Sequence, residues 1–238
     1  MSCLRSFYDY LCKRKLLPSN PVRLVDMPKI KEKAIIQLDP DEVANLLDYI
    51  ENYGNQLTGV KLYHYNKQKY RDIAIVTLLL GTGVRVSELV GLNISDIDFK
   101  NNGIRILRKG GNEMIVYFGE EVEKALHDYL EISRNAMTPL SGHEDALFLS
   151  GQRRRISVDA VEKMVKKYAS AISAKTITPH KLRSTYGTAL YRETGDIYLV
   201  ADVLGHADVN TTKKHYAKLS DARRRAASKA VILREKID

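Results

Sequence analysis

Between Thr176 and Tyr216, His180, Arg183, His206 and Tyr216 stand out as side chains that could move a proton, hold an anion or attack an electrophile. They stand in T-P-H-K-L-R and then in L-G-H-A-D-V-N-T-T-K-K-H-Y. An imidazole exchanges a proton near neutrality. A planar guanidinium grips two oxygens of one anion. A phenol becomes a nucleophile once a base takes its proton. Taken singly, each has a plainer reading: His180 as a satisfied core histidine, Tyr216 as one amphipathic core tyrosine among 14. Their arrangement along one helical stretch gives them weight.

That arrangement depends on the elements carrying them. Thr178 is a good N-cap and Pro179 suits the first helical position, where its missing N–H costs nothing. His180 and Arg183 then stand three apart on one face. The helix extends to Thr194-Gly195. Asp196 caps a second short helix, I-Y-L-V-A-D-V-L, which Gly205 ends, and His206 follows on the turn. Asn210 or Thr211 caps a last helix carrying Tyr216. Upstream, Asp39-Pro40-Asp41-Glu42 opens a helix with Val43, Leu46, Leu47 and Ile50 on one face. After a polar, Tyr-bearing segment from Asn52 to Lys69, residues 70–80 read as a helix apolar almost all round, hence central. Gly81-Thr82-Gly83 breaks it, and Arg85 begins a short helix with Glu88 three residues on. By spacing alone Arg85 and Glu88 are a surface ion pair. Ile104–Ile106 and Met114–Tyr117 are short strands flanking Lys109-Gly110-Gly111-Asn112, a hairpin whose tip lysine would ordinarily only solvate the turn. Residues 120–134 form a helix, and 146–149 a third strand or an extended segment.

H-x-x-R, L-G-H and a tyrosine ten residues after that second histidine resemble the C-terminal signature of tyrosine recombinases, the phage-integrase family. G-T-G-V-R-V-S-E-L-V-G-L resembles the family's first box, with Arg85 as its arginine. R-K-G-G-N-E resembles its β-hairpin, with Lys109 as its lysine. The resemblance spans roughly residues 36–218, with every box in order. It implies an α+β fold, mainly α-helical, with a small three-stranded antiparallel sheet at one edge. It implies that residues 1–34 are the last helix of a largely missing N-terminal DNA-clamping domain plus linker, that 35–219 are catalytic, and that 220–238 are a tail helix docking in trans.

The chemistry so implied is attack on a DNA phosphodiester. Its oxygens are negative and its alkoxide leaves poorly, so catalysis needs a nucleophile, cations and an acid. Tyr216 is the nucleophile, Arg85 and Arg183 hold the non-bridging oxygens, and Lys109 protonates the leaving 5′ oxygen. His180 takes or returns the tyrosine proton, and His206 donates to the phosphate or buttresses the site. Glu88 holds Arg85 from behind. A covalent 3′-phosphotyrosine stores the energy of the broken bond, so neither metal nor cofactor is expected. There is no C-x-x-C, H-E-x-x-H or P-loop. A catalytically idle DNA-binding module and a type IB topoisomerase-like nicking-closing enzyme are the alternatives to a recombinase.

The formal net charge is +9 over 238 residues. That balance favours a polyanionic partner, nucleic acid before membrane. Arg153, Arg154 and Arg155 form a basic loop, and Ser157 caps a helix exposing Lys163, Lys166 and Lys167. With Lys181, they make a candidate phosphate-contacting stripe; a solvated basic face is the competing reading. Cys3 and Cys12 are the only cysteines, which fits a reducing compartment. No apolar run is long enough to span a bilayer. The expectation is therefore a cytoplasmic integrase of a mobile element, acting on double-stranded DNA as a tetramer and monomeric or weakly associated without it.

Overall fold

The computed structural model describes residues 2–25, 36–108, 111, 113–205 and 209. Met1–Ala34 and Ile35–Asp238 form two compact units. In the first, helix α1 is Ser2–Lys13. The supposed linker contains a 3-10 turn, Pro21–Leu24, opened by Asn20, whose side chain accepts from the Val22 N–H at 2.9 Å. Asp9 accepts from both the Asn20 amide and the Arg23 guanidinium at 2.9 Å and ties that turn to α1.

The second unit is mainly helical with one small antiparallel sheet, in the order β1 (Ile97–Asp98), β2 (Gly103–Leu107), β3 (Glu113–Tyr117). Its third strand is thus Ile97–Asp98, paired to β2, and not residues 146–149. The latter segment is extended, buried from Ala146 to Leu149, and makes only single bridges, Asn93 to Ala146 and Leu149 to Arg155.

Helix α2, Pro40–Asn52, starts where the Asp39–Glu42 capping box places it. Helix α3 runs Gly59–Thr82, eleven residues earlier than the apolar run alone predicts. The extra turns are held by tertiary contacts. Tyr65 is 7% exposed, and its hydroxyl lies 2.8 and 2.7 Å from the Ile50 and Glu51 carbonyls at the end of α2. Polar turns that would be marginal alone become helical because one aromatic anchor docks them. The later turns of α3 are the centre of the core: Ala74, Ile75, Val76, Leu78 and Leu79 are fully buried. Within α3, Arg71 and Asp72 form a buried pair at 2.6 Å; Arg71 also donates to the Leu149 carbonyl, and the Tyr168 hydroxyl donates to Asp72. Every charge in that pair therefore has partners, as burial requires.

Helix α4 is Val86–Gly91, and α5 is Glu120–Asp128, continued by a π-helix over Tyr129–Arg134. Helix α6, Val158–Ile172, starts at the Ser157 cap. Helices α7 (Pro179–Thr194) and α8 (Ile197–Leu204) end at Gly195 and Gly205, both at positive φ, where an L side chain would be strained. Asp196 caps α8 by accepting from the Tyr198 and Leu199 N–H groups.

Candidate functional site

The site forms where α3 stops. Gly83 takes φ +63, and a Cβ there would stand 2.4 Å from the Tyr186 ring, so this turn admits only glycine. Two residues on, Arg85 is the N-cap of α4. Its backbone N–H donates to Glu88 Oε2 at 2.7 Å, and its Nη1 donates to Oε1 of the same carboxylate at 2.8 Å. The Glu88 side chain is 4% exposed and that of Arg85 39%. The arginine is gripped from beneath by a buried acid and left open on its other side. This is more than a surface pair, because burial strengthens the charge-assisted bonds and fixes the guanidinium.

Arg183 comes from the second turn of α7 and is 5% exposed. It donates to the carbonyls of Gly83 and Leu204. Arg85 Nη2 donates to the Gly205 carbonyl at 3.0 Å. Arg108, at the end of β2, donates to Val203 O at 2.8 Å and Asp202 O at 3.3 Å. The last carbonyls of α8, residues 202–205, therefore meet guanidinium groups from three separate segments. A helix C-terminus lacks intrahelical partners for those carbonyls and carries partial negative charge, so it is a natural place to gather cations. Burial lowers the Arg108 pKa from its ordinary value, with neighbouring Arg85 acting the same way and Glu88 and Asp202 opposing.

Helix α7 is anchored on its other side by residues 37–42. The Leu38 N–H donates to Thr185 Oγ1 at 3.0 Å, and Thr188 bonds the Gln37 side chain. Lys175, just ahead of α7, donates to the Gln37 carbonyl at 3.1 Å and to the Glu42 carboxylate, which also accepts from Ser173 at 2.9 Å. The Lys175 hydrogen bond, followed by the Asp39 N–H, pulls Glu42 down to about 2. His180 is exposed on the first turn of α7, and its carbonyl accepts from Ser184 Oγ at 3.1 Å.

The structure thus brings Arg85, Glu88 and Arg183 together at the Gly83 and Gly205 turns. Lys109, His206 and Tyr216 lie outside the described residues. Lys109 directly follows Arg108, and His206 directly follows Gly205. Sequence reasoning passed over Arg108, Thr185 and Lys175, and read Gly83 as part of the turn that ends the central helix. Only the adjacency of Arg108 to the hairpin lysine pointed to it.

The basic stripe separates into two kinds of residue. Arg153, Arg154, Lys163, Lys166 and Lys167 are exposed, and Lys181 is half-buried. Lys163 pairs with Asp159 at 2.8 Å, and Lys167 Nζ sits 4.3 Å from the Tyr53 ring centre. Arg155 is turned inward: its guanidinium donates to the Val90 and Leu92 carbonyls at 3.1 and 2.7 Å and to Asn93 Oδ1. Among the described residues no group of three His, Cys, Asp or Glu comes together as a metal site. No described helix is long and apolar enough to cross a membrane.

Residues 37–223 match the model of the phage integrase family. Tyrosine recombinase XerC of Caldanaerobacter subterraneus subsp. tengcongensis is 36% identical over 233 residues, covering 95% of this chain and 60% of that protein. The chain therefore spans about three fifths of that relative's length. The crystal structure of XerA recombinase superposes with a TM-score of 0.68 at 30% identity, over 86% of this chain and 68% of that one. The Tn1549 transposon integrase, solved in complex with circular intermediate DNA, shares the fold with a TM-score of 0.67 at 24% identity, over 89% and 71%.

Proposed function

The chain belongs to the phage integrase family, and on that premise we propose that it is a tyrosine site-specific recombinase that cuts and rejoins DNA through a covalent 3′-phosphotyrosine. One observation carries the reading. Arg85 and Arg183, from different helices, meet on the adjacent carbonyls of Gly205 and Leu204, directly before His206. Two guanidiniums so fixed are suited to one phosphate, whose oxygens they neutralise as the phosphorus gains a fifth ligand.

In this mechanism Tyr216 attacks the phosphorus and the bond to the 5′ oxygen breaks. His180 takes the phenolic proton and returns it on religation, and Lys109 supplies a proton to the departing 5′ oxygen. His206, which directly follows Gly205 in the sequence, donates to a non-bridging oxygen. Glu88 keeps Arg85 in register. The 5′ hydroxyl of a partner duplex then attacks the phosphotyrosine and restores the diester, so the bond count balances without a cofactor.

The partner is double-stranded DNA, with Arg153, Arg154, Lys163, Lys166, Lys167 and Lys181 on its backbone. The Tn1549 integrase, whose fold is shared, is a DNA complex and a transposon protein. That supports a mobile-element integrase; assembly as a tetramer on DNA, docking of residues 220–238 in trans, and residues 1–34 as the end of a clamping domain follow the family resemblance. A cytoplasmic setting fits the two free cysteines.

Incubation with DNA carrying candidate sites, in excess EDTA, followed by a denaturing gel is the test. Wild type should leave a protein–DNA adduct, and Tyr216→Phe should bind DNA equally and leave none. An adduct from the Phe variant at the wild-type rate removes Tyr216 as nucleophile. Binding without any wild-type adduct means an idle binding module. Relaxation of supercoiled DNA with no exchange between two sites means a nicking-closing enzyme.

A further inference from the structure

Arg108 is the cation that the motif reading does not use, and it is placed with unusual specificity. It directly follows β2, whose last residue, Leu107, pairs with Glu113 at the start of β3. Its two terminal nitrogens reach two successive carbonyls of α8, Val203 and Asp202, while its Nε is buried without a hydrogen-bond partner. It also packs against the backbone at Gly205, where a Cβ would fall 1.8 Å from Nη1. Gly205 is thus required twice, for its φ of +59 and for the space that Arg108 fills.

Resting on the reading above, we propose that Arg108 is a positioning residue that locks the end of β2 onto the C-terminal turn of α8. The lock fixes the point where the chain enters Lys109 against the point where it enters His206, and both against Arg85, which bonds Gly205 on the same turn. A short hairpin strand is otherwise a weak platform for a lysine that must reach one oxygen, and a misplacement near 1 Å costs about 10²-fold in rate. The fork is the working feature. A guanidinium spans two carbonyls that a single ammonium does not.

The experiment compares wild type, Arg108→Met, which keeps the aliphatic stem, and Arg108→Lys, which keeps the charge. Adduct formation is timed on a DNA with an ordinary scissile phosphate and on one with sulfur at the bridging 5′ position, which leaves without a proton. Arg108→Met should cleave the oxygen substrate about 10- to 100-fold more slowly, with most of that loss recovered on sulfur. Arg108→Lys should behave like the Met variant. Equal loss on both substrates assigns Arg108 a merely structural role and overturns the proposal. Full activity of Arg108→Lys assigns it to charge and overturns it too, as does a wild-type rate for Arg108→Met.

Amide hydrogen exchange without DNA tests the lock independently of the reaction. Exchange in residues 104–107 and 202–205 should quicken together in both variants. Unchanged exchange in either segment refutes the lock. No adduct from wild type on either substrate instead refutes the recombinase reading, and leaves the exchange result to decide the lock.

Discussion

The end of α8 gathers arginines from three other segments and the loop leading into α6 carries three of its own, yet the two regions use them in opposite ways. Around residues 202–205 the guanidiniums are bonded into the fold: Arg183 is 5% exposed, and Arg85 has a buried carboxylate beneath it. Along 153–167 the cations stand in water, and the Lys163–Asp159 pair has side chains 77% and 71% exposed. Buried guanidiniums need their partners, so their geometry is over-determined. Exposed ones each contribute little but sum into attraction for a polyanion. On the proposed reading the first region positions and the second attracts. Arg155 crosses between them: by sequence it belongs to the basic loop, by its bonds to Val90, Leu92 and Asn93 it belongs with the positioned kind.

The largest expected effect breaks the positioned region. Arg183→Gln should cut adduct formation by about 10²- to 10³-fold, since removing one preorganised donor to a developing charge costs about that much. It should also lower stability by about 1–3 kcal/mol, because the Gly83 and Leu204 carbonyls lose a charged partner. Arg183→Lys separates charge from shape: it should restore much of the stability and little of the rate. Denaturant melts and adduct timing on the same protein check both. A Lys variant with full activity would mean that charge alone suffices there and would erase the contrast between the regions.

The second effect concerns the loop. Replacing Arg153 and Arg154 together by Gln should lower the slope of log binding constant against log salt by about 2, close to 0.9 for each DNA phosphate that is no longer neutralised. Thermal stability should hardly change. Arg155→Gln should do the reverse, leaving the salt slope alone and lowering stability by about 1–3 kcal/mol through unsatisfied carbonyls. Titrations at several salt concentrations beside melting curves decide it. A salt slope reduced equally by all three would put Arg155 on DNA and return it to the solvent-facing stripe.

These residues mark how far the sequence could be read. The helices bearing His180, Arg183 and Gly205 were legible because their ends carry local signals: Thr178-Pro179, Asp196, and glycines at positive φ. So was the Arg85–Glu88 unit, since three-residue spacing suffices to bring the two together. What escaped depends on distant partners. The early turns of α3 hang on Tyr65 meeting the end of α2. Strand β1 is only Ile97–Asp98, too short for any alternation to register, while the more strand-like 146–149 is buried without a ladder. Arg155 and Arg108 look like any basic loop residues until the carbonyls they hold are placed, many residues away in the chain.

The smallest effect lies at the anchor of α7, where a positioned charge sits nearly at the surface. Glu42 accepts from Lys175, the Asp39 N–H and Ser173, and its pKa falls to about 2. A carboxyl whose folded pKa lies below its unfolded value of 4.5 stabilises the fold above that value. The contribution fades as pH drops from 4.5 towards 2, where the folded state too takes up the proton. The Glu42 side chain is 20% and that of Lys175 42% exposed, so water screens the pair and the contribution is held to about 1 kcal/mol. Glu42→Gln should therefore melt a few degrees below wild type at pH 7 and level with it near pH 2. The gap should also shrink in high salt, unlike the loss from Arg183→Gln, whose partners are buried. Melting curves of the three proteins across pH and salt test this, and a Glu42→Gln deficit that persists unchanged at pH 2 would show that the carboxylate charge is not what fastens residues 37–42 to α7.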